Sequence, residues 1–268
     1  MIRSIAFSVF DVACLGIIAQ TTTFSANAQR PKFETFEVAT IKQSKPDEKS
    51  RFMLMQGMHR FVAQNFTLKL LVAGAYNLNP RTISGGPGWT DAEHFDIVAI
   101  TPGDVKPDRE EQMTMLRRLL ADRFKLTFHR ERREFSIYEL EVAAGGPKLR
   151  ASMAAPDETP ALVSTVYPQK LVLPARNATM ADFVAMMQRA MLDRPVVDRT
   201  GLKGRYDFDL EWAPDETQFG GELPRAPSDA QAAPLFIAIR EQLGLEFKAT
   251  RGPVDALVLD GAERPTEN

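Results

Sequence analysis

The chain has 268 residues, of which 44% are hydrophobic and 25% charged, and its formal net charge is −2. That length allows two modest domains or one fused pair of halves, and the composition is ordinary for a globular protein. The near-neutral balance argues against a nucleic-acid surface and against a polybasic membrane contact.

Residues 1–28 read as an export signal. Arg3 supplies the positive start, Ile5 to Ile18 is mostly apolar, and Ala26-Asn27-Ala28 is the small-x-small pattern of a cleavage site. Asp11 interrupts the apolar run, which is also short for a membrane span. The expected mature protein begins at Gln29, lies in the periplasm or outside the cell, and has no stable membrane span. The one cysteine, Cys14, falls inside the signal. The mature chain therefore has no disulfide, thiolate nucleophile or cysteine-ligated metal. Lipid attachment at Cys14 is the rival reading; Asp11 stands where an apolar residue is expected.

Beyond the signal, Phe36 to Ile41 partly alternates and predicts a strand. Two apolar runs around Gln56-Gly57 predict a hairpin over Arg51 to Ala63. Thr67 opens a helix with Leu68, Leu71, Val72, Ala75 and Tyr76 as its apolar stripe. Ser84 to Gly88 reads as a loop, and Phe95, Ile97 and Ala99 as alternate positions of a strand. Asp108 with Glu111 starts a second helix in capping-box style, buried along Leu116, Leu119, Leu120 and Phe124. Lys125 to Phe128 and Phe135 to Val142 predict a closing strand pair, with Arg130 to Glu134 as a solvated turn or strand extension.

Residues near Gly145 to Pro160 form a Pro- and Ala-rich linker, after which the same order recurs. Thr179 with Asp182 starts a helix. Tyr206, Phe208, Leu210 and Trp212 share a strand face. Asp215 to Ala233 is a polar insert. Leu235, Ile239 and Leu243 stripe another helix, and Val254 to Leu259 is a closing strand.

The two series match residue by residue. Asn65-Phe66-Thr67-Leu68 recurs 112 residues later as Asn177-Ala178-Thr179-Met180. Phe95-Asp96-Ile97 recurs as Tyr206-Asp207-Phe208 at an offset of 111. Phe124, Leu126, Phe128, Tyr138 and Leu140 match Leu243, Leu245, Phe247, Leu257 and Leu259 at an offset of 119. The predicted fold is α+β: two fused, related halves, each with helices packed on a mainly antiparallel sheet. The signal occupies 1–28, the first repeat 29–150 and the second 151–268. The glycine loop lacks the crossover helix of a Rossmann unit and the lysine of a phosphate loop.

The segment Asp193-Arg194-Pro195-Val196-Val197-Asp198-Arg199-Thr200-Gly201-Leu202-Lys203-Gly204-Arg205-Tyr206-Asp207-Phe208 resembles the signature of a large family of uncharacterised secreted proteins from soil bacteria. Glu263-Arg264-Pro265-Thr266-Glu267-Asn268 resembles its usual ending, and Ile83 to Trp89 and Glu241 to Leu245 are similar to its pattern. The resemblance implies a domain of unknown function, without an assigned activity, cofactor or catalytic residue. Some relatives carry the domain behind a membrane-embedded sensor metallopeptidase, which implies extracytoplasmic sensing or interaction. In element order alone, the chain is also similar to the N-terminal interaction modules of secretins and outer-membrane receptors.

Little in the residues points to catalysis. His59, His94 and His129 share no ligand spacing, so solvated histidines are the plainer reading and no metal is expected. Ser84 is not in a nucleophile elbow. The Tyr206, Phe208, Trp212 face and the Met180, Met186, Met187, Met191 stripe read as core. The densest polar stretch offers Asp193, Arg194, Asp198, Arg199, Arg205 and Asp207 as ligand- or partner-binding candidates. Its mixed charges keep the carboxylates ionised, which suits a loop fastened by ion pairs better than a general acid. Gly201 and Gly204 are the expected turn residues, with Gly204 at positive φ. The function expected is a non-catalytic binding or interaction module, in contact with an envelope protein or small ligand and needing no cofactor. The alternative is an extracytoplasmic hydrolase using carboxylates.

Overall fold

A computed structural model describes residues 31–268 except 49, 156–157, 168, 222–225, 228–229 and 267–268. The export segment and Cys14 lie outside the described residues. The secondary structure is built around two apolar cores. The first core begins with strands β1 (Val38–Gln43), β2 (Phe52–Gln56) and β3 (Arg60–Thr67), followed by helix α1 (Leu68–Tyr76). The Thr67 hydroxyl accepts the Leu70 N–H at 3.3 Å, which satisfies one of the free donors of the first helical turn. After a short 3₁₀ turn come β4 (Ile83–Gly85), α2 (Trp89–Ala92), β5 (His94–Ile100) and α3 (Arg109–Arg123). The capping box expected at α3 is complete: Asp108 accepts the Glu111 N–H, and Glu111 accepts the Asp108 N–H. Then β6 runs without a break from Thr127 to Val142.

The second series starts with the short strands β7 (Arg150–Ala151), β8 (Ala161–Leu162) and β9 (Thr165–Val166), then β10 (Leu171–Ala178). Helix α4 (Met180–Met186) continues into a π-helical turn, Met187–Met191, and β11 (Val196–Asp198) and β12 (Tyr206–Trp212) follow. Helix α5 (Leu235–Ala238) likewise continues into a π-helical turn, Ile239–Leu243, before the long strand β13 (Leu245–Gly261).

Three sheets result, with orders β1-β5-β3-β2, β7-β12-β10-β8 (β9 also on β10) and β11-β6-β13-β4. Pairing is antiparallel except for β4 on β13 and β11 on β6. The α+β class with mainly antiparallel sheets is therefore as expected from sequence.

Two details refine the reading. Lys125 to Phe128 and Phe135 to Val142 are not a strand pair but parts of one strand, β6, and of the two readings of Arg130 to Glu134 the strand extension holds: it is the middle of β6, paired with Pro253 to Leu257 of β13. The run lacks the Gly, Pro or Asn that a tight turn needs, and exposure of Arg130, Arg132, Arg133 and Glu134 keeps its charges in water. Of the stretch Ser84 to Gly88 read as loop, Ser84 and Gly85 instead end β4, which pairs with Leu257, Val258 and Leu259, while Gly86 to Gly88 lies outside any strand or helix. A Cβ on Gly85 would stand 2.6 Å from the Leu259 carbonyl oxygen, so glycine permits that close approach.

The long strands cross between the cores. Leu257 and Leu259 of β13 pack with Leu68, Leu71, Phe95 and Phe124, while Leu140 of β6 packs with Phe183, Leu210, Trp212 and Leu245. Residues 31–268 accordingly form one compact unit. Trp212, fully buried, donates its indole N–H to Gln218 at 2.7 Å, so burial of the ring leaves no polar atom stranded.

Candidate functional site

The motifs that recur along the chain have a local cause. Asn65 and Asn177 adopt left-handed backbone, with φ of 61° and 52°. Each sits at a register shift, in β3 and β10 respectively. The Asn65 N–H donates to Asp96 on β5 and the Asn177 N–H to Asp207 on β12, both at 2.9 Å. Each Asn side chain then donates to carbonyls of the preceding segment: Glu48 for Asn65, Ala155 and Glu158 for Asn177. Bulge, acidic clamp and Thr cap together aim the following helix at its core. Asp207 is part of this clamp. The Asn177 backbone N–H, then a hydrogen bond with the Ser152 side chain, hold its carboxyl below the usual range.

The six candidates fall in three places. Arg205 and Asp207 gather around Asn177, with Arg205 donating to the Asn177 carbonyl at 3.0 Å. Asp198 closes a turn, accepting the Thr200 N–H at 2.9 Å and hydroxyl at 2.7 Å. Arg199 next to it pairs with Glu139 at 3.0 Å. Asp193 and Arg194 lie on Tyr138, whose hydroxyl donates to Asp193 at 3.2 Å and whose ring carries the Arg194 guanidinium 5.0 Å from its centroid. Burial, then the Asp193 carboxylate, push the Tyr138 phenol above its ordinary value. The turn glycine with left-handed backbone is Gly201, at φ 69°, not Gly204. A Cβ on Gly204 would meet only the Tyr206 hydroxyl end, at 2.9 Å.

The Tyr138 cluster leads to a concavity that sequence reading missed. Phe236 and Phe247 pack on Tyr138 with ring centroids 5.2 and 5.9 Å away. Beyond them lies an open groove of about 660 Å³. Phe236, Ile237 and Phe247 form its apolar side, Lys148, Arg240, Glu241 and Glu246 its polar side, and the Ala143–Gly146 backbone a wall. Phe236 and Ile237 are 39% and 49% exposed. The signal was available: both are large apolar residues lying off the Leu235, Ile239, Leu243 stripe, so the core does not require them. The π-helical turn Ile239–Leu243 beside them shifts the register of the helix and carries Arg240 and Glu241 into the lining.

Residues 69–262 match the family described as a protein of unknown function, DUF3738. The chain belongs to that family. The DUF3738 match starts inside α1 and ends just past β13, so it takes in both ends of the crossed strands, all six candidates and the groove. Comparison with curated proteins and with solved structures finds no match. Among the described residues, no group of three or more His, Cys, Asp or Glu is placed to hold a metal ion, and no helix is long and apolar enough to cross a membrane. The DUF3738 groove combines apolar contact area with both signs of charge, a lining suited to holding a ligand or a side chain by shape.

Proposed function

We propose that this DUF3738 protein is a non-catalytic binding module that works in the periplasm or outside the cell, holding an apolar part of an envelope protein or small ligand in the groove. The groove with its exposed Phe236 and Ile237 carries this reading, because large apolar side chains left in water beside a concavity mark a contact site. The motif pairs at offsets of 111, 112 and 119 support a chain made of two related units. Export rests on residues 1–28; N-terminal sequencing of the native protein should begin at Gln29, and retention of Met1 on a cytoplasmic protein would remove it.

The groove is tested with an environment-sensitive apolar dye such as anilinonaphthalene sulfonate. Saturable binding to the folded wild type is expected, lost in Phe236→Asp and Ile237→Asp. Ile237→Asp should keep the wild-type melting temperature, since that side chain is half exposed and stacks on no ring, whereas Phe236→Asp also gives up its contacts with Tyr138 and Phe247 and should melt lower. Equal dye binding by the wild type and both variants would refute the groove as the site.

A further inference from the structure

The sheet of the first core has a second face. Along β1, β5, β3 and β2 alternate residues point to the core, and the residues between them point away. Ile41, Phe61, Ala63, Ile97 and Ala99 are of the inner set. The register fixes two rows on the outer side. Thr40, Val98, Val62 and Leu54 stand opposite one another across the sheet, and Val38, Ile100, Arg60 and Gln56 form the next row. None of Val38, Leu54, Val62, Val98 and Ile100 belongs to either core. Val38, Leu54 and Ile100 are 63%, 41% and 36% exposed. An antiparallel sheet with one face in water ordinarily carries polar residues there.

The second core supplies the control. β12 is the counterpart of β5 at the offset of 111, so Asp209 stands where β5 has Val98, and Glu211 where it has Ile100. These acids are paired: Asp209 with Arg176 at 2.8 Å and Glu211 with Lys170 at 2.8 Å, beside Asp207 with Arg150 at 3.8 Å. The same sheet face is therefore laced with ion pairs in one half and apolar in the other. The fold does not require the apolar residues, since the second sheet forms with carboxylates in their place. Contiguous apolar side chains left on an outer face mark a contact surface.

We propose that two copies of the protein associate through this outer face of β1, β5, β3 and β2. Four strands about 4.8 Å apart and about six residues long span roughly 400 Å² in plan. Two such faces, whose accessible area exceeds their plan, come near the ~1,000 Å² in total that a specific contact needs. The face is also self-complementary. A two-fold axis lying in it, along the Thr40–Leu54 row or across the middle of that row, sets the row on its own copy. Arg60 then falls over Gln64 or over Ile100 of the second copy, and in neither case on its own like charge. Lys42, exposed on the edge strand β1, keeps its ammonium in water. This surface is separate from the groove, and neither depends on the other.

The experiment is analytical ultracentrifugation of the whole mature chain over a concentration series. A reversible monomer–dimer equilibrium is expected, with a dissociation constant on the order of 10–100 μM for a contact of this size. Ile100→Glu installs the residue that the second sheet carries at this place, and Leu54→Glu puts a carboxylate in the central row. Each should raise the dissociation constant at least tenfold. Both side chains are exposed, so each variant should still melt cooperatively. A second readout needs no variant: hydroxyl-radical footprinting of the wild type, mapped by mass spectrometry. Oxidation of Val38, Leu54 and Ile100 should slow from dilute to concentrated protein, while that of Ile237 in the groove stays the same. A wild type that remains monomeric across the series, glutamate variants that dimerise as the wild type does, or unchanged oxidation of all three residues would each overturn the dimer.

Discussion

The two cores solve the same backbone problem with the same parts and then diverge at their helices. Asn65 with Asp96 and Asn177 with Asp207 are the same clamp, and Thr67 and Thr179 are the same cap. The long strands extend the likeness: His129 pairs with Asp260 near one end of the ribbon, and Lys248 pairs with Glu141 near the other. His129 and Lys248 are 119 residues apart, as are Glu141 and Asp260. The helices differ. In the first core α3 is 15 residues of regular α-helix, whereas in the second both α4 and α5 give way to π-helical turns. The groove lies beside the second of these turns. The hydrogen bonds that place strands tolerate little change, since each leaves a backbone group stranded if lost. The helix surfaces tolerate more, and that is where a concavity has opened on one side.

The sharpest contrast is at the helix ends. Lys125 and Gly244 both hold left-handed backbone, with φ of 48° and 64°. A Cβ on Gly244 would lie 2.1 Å from the Gly146 carbonyl oxygen, in the wall of the groove. Gly244→Lys should cost about 2–4 kcal/mol in denaturant unfolding, since backbone strain adds to a collision with main chain. The mirror change, Lys125→Gly, should stay within about 1 kcal/mol of the wild type, because it removes a left-handed Cβ. Equal costs at the two positions would break the contrast.

A smaller effect tests the likeness. Asp96→Ala and Asp207→Ala should lower the melting temperature by comparable amounts, since each strands an Asn backbone N–H. The Asp207 carboxyl has a depressed folded pKa, so its contribution is complete above the ordinary carboxylate value and is lost as pH falls through the depressed one. Asp207→Asn should therefore flatten the acid limb of a stability profile. A drop confined to one of the two alanine variants would show that the clamps are not equivalent.

The smallest effect separates the ends of the ribbon by pH. Glu131 first, and then Asp260, hold His129 above the ordinary imidazole value. A raised folded pKa stabilises the fold below the unfolded value, and that stability is lost as pH rises through the folded one. Lys248, raised chiefly by its bond to Glu141, keeps its charge across the same interval. NMR titration should place His129 above a free histidine, and Asp260→Asn should bring it down. An unshifted His129 in the wild type would remove the distinction.

Much of this fold could be read from sequence because its signals are local. Thr67, Asp108 and Thr179 announce their helices through residues three positions away, and alternate positions such as Phe95, Ile97 and Ala99 reveal a strand face. Arg130 to Glu134 stayed open between turn and strand extension because the partner that makes it a strand, Pro253 to Leu257, is more than a hundred residues distant. Ser84 and Gly85 misled for the same reason, since only Leu259 and its neighbours turn them into β4. Of the six polar candidates, Asp207 could be matched to Asp96 by its motif, but no spacing rule shows that the six divide among three places. The groove depends on a helix register and on the meeting of the Ala143–Gly146 backbone with the helix at Phe236, neither of which periodicity encodes.

The crossing of β6 and β13 also sets the order in which the chain can finish folding. Thr127 pairs with Gly261, so the ribbon closes over nearly half the length of the protein. Contacts between such distant residues pay their loop entropy before they return any stability, which slows folding. A chain emerging from its N-terminus has every element of the first core in hand except Leu257 and Leu259, which arrive last. Until they do, the buried cluster that holds Leu68, Leu71 and Phe124 lacks two of its members. For a protein expected to thread through an export channel, this arrangement defers the final locking step until the last strand has been delivered.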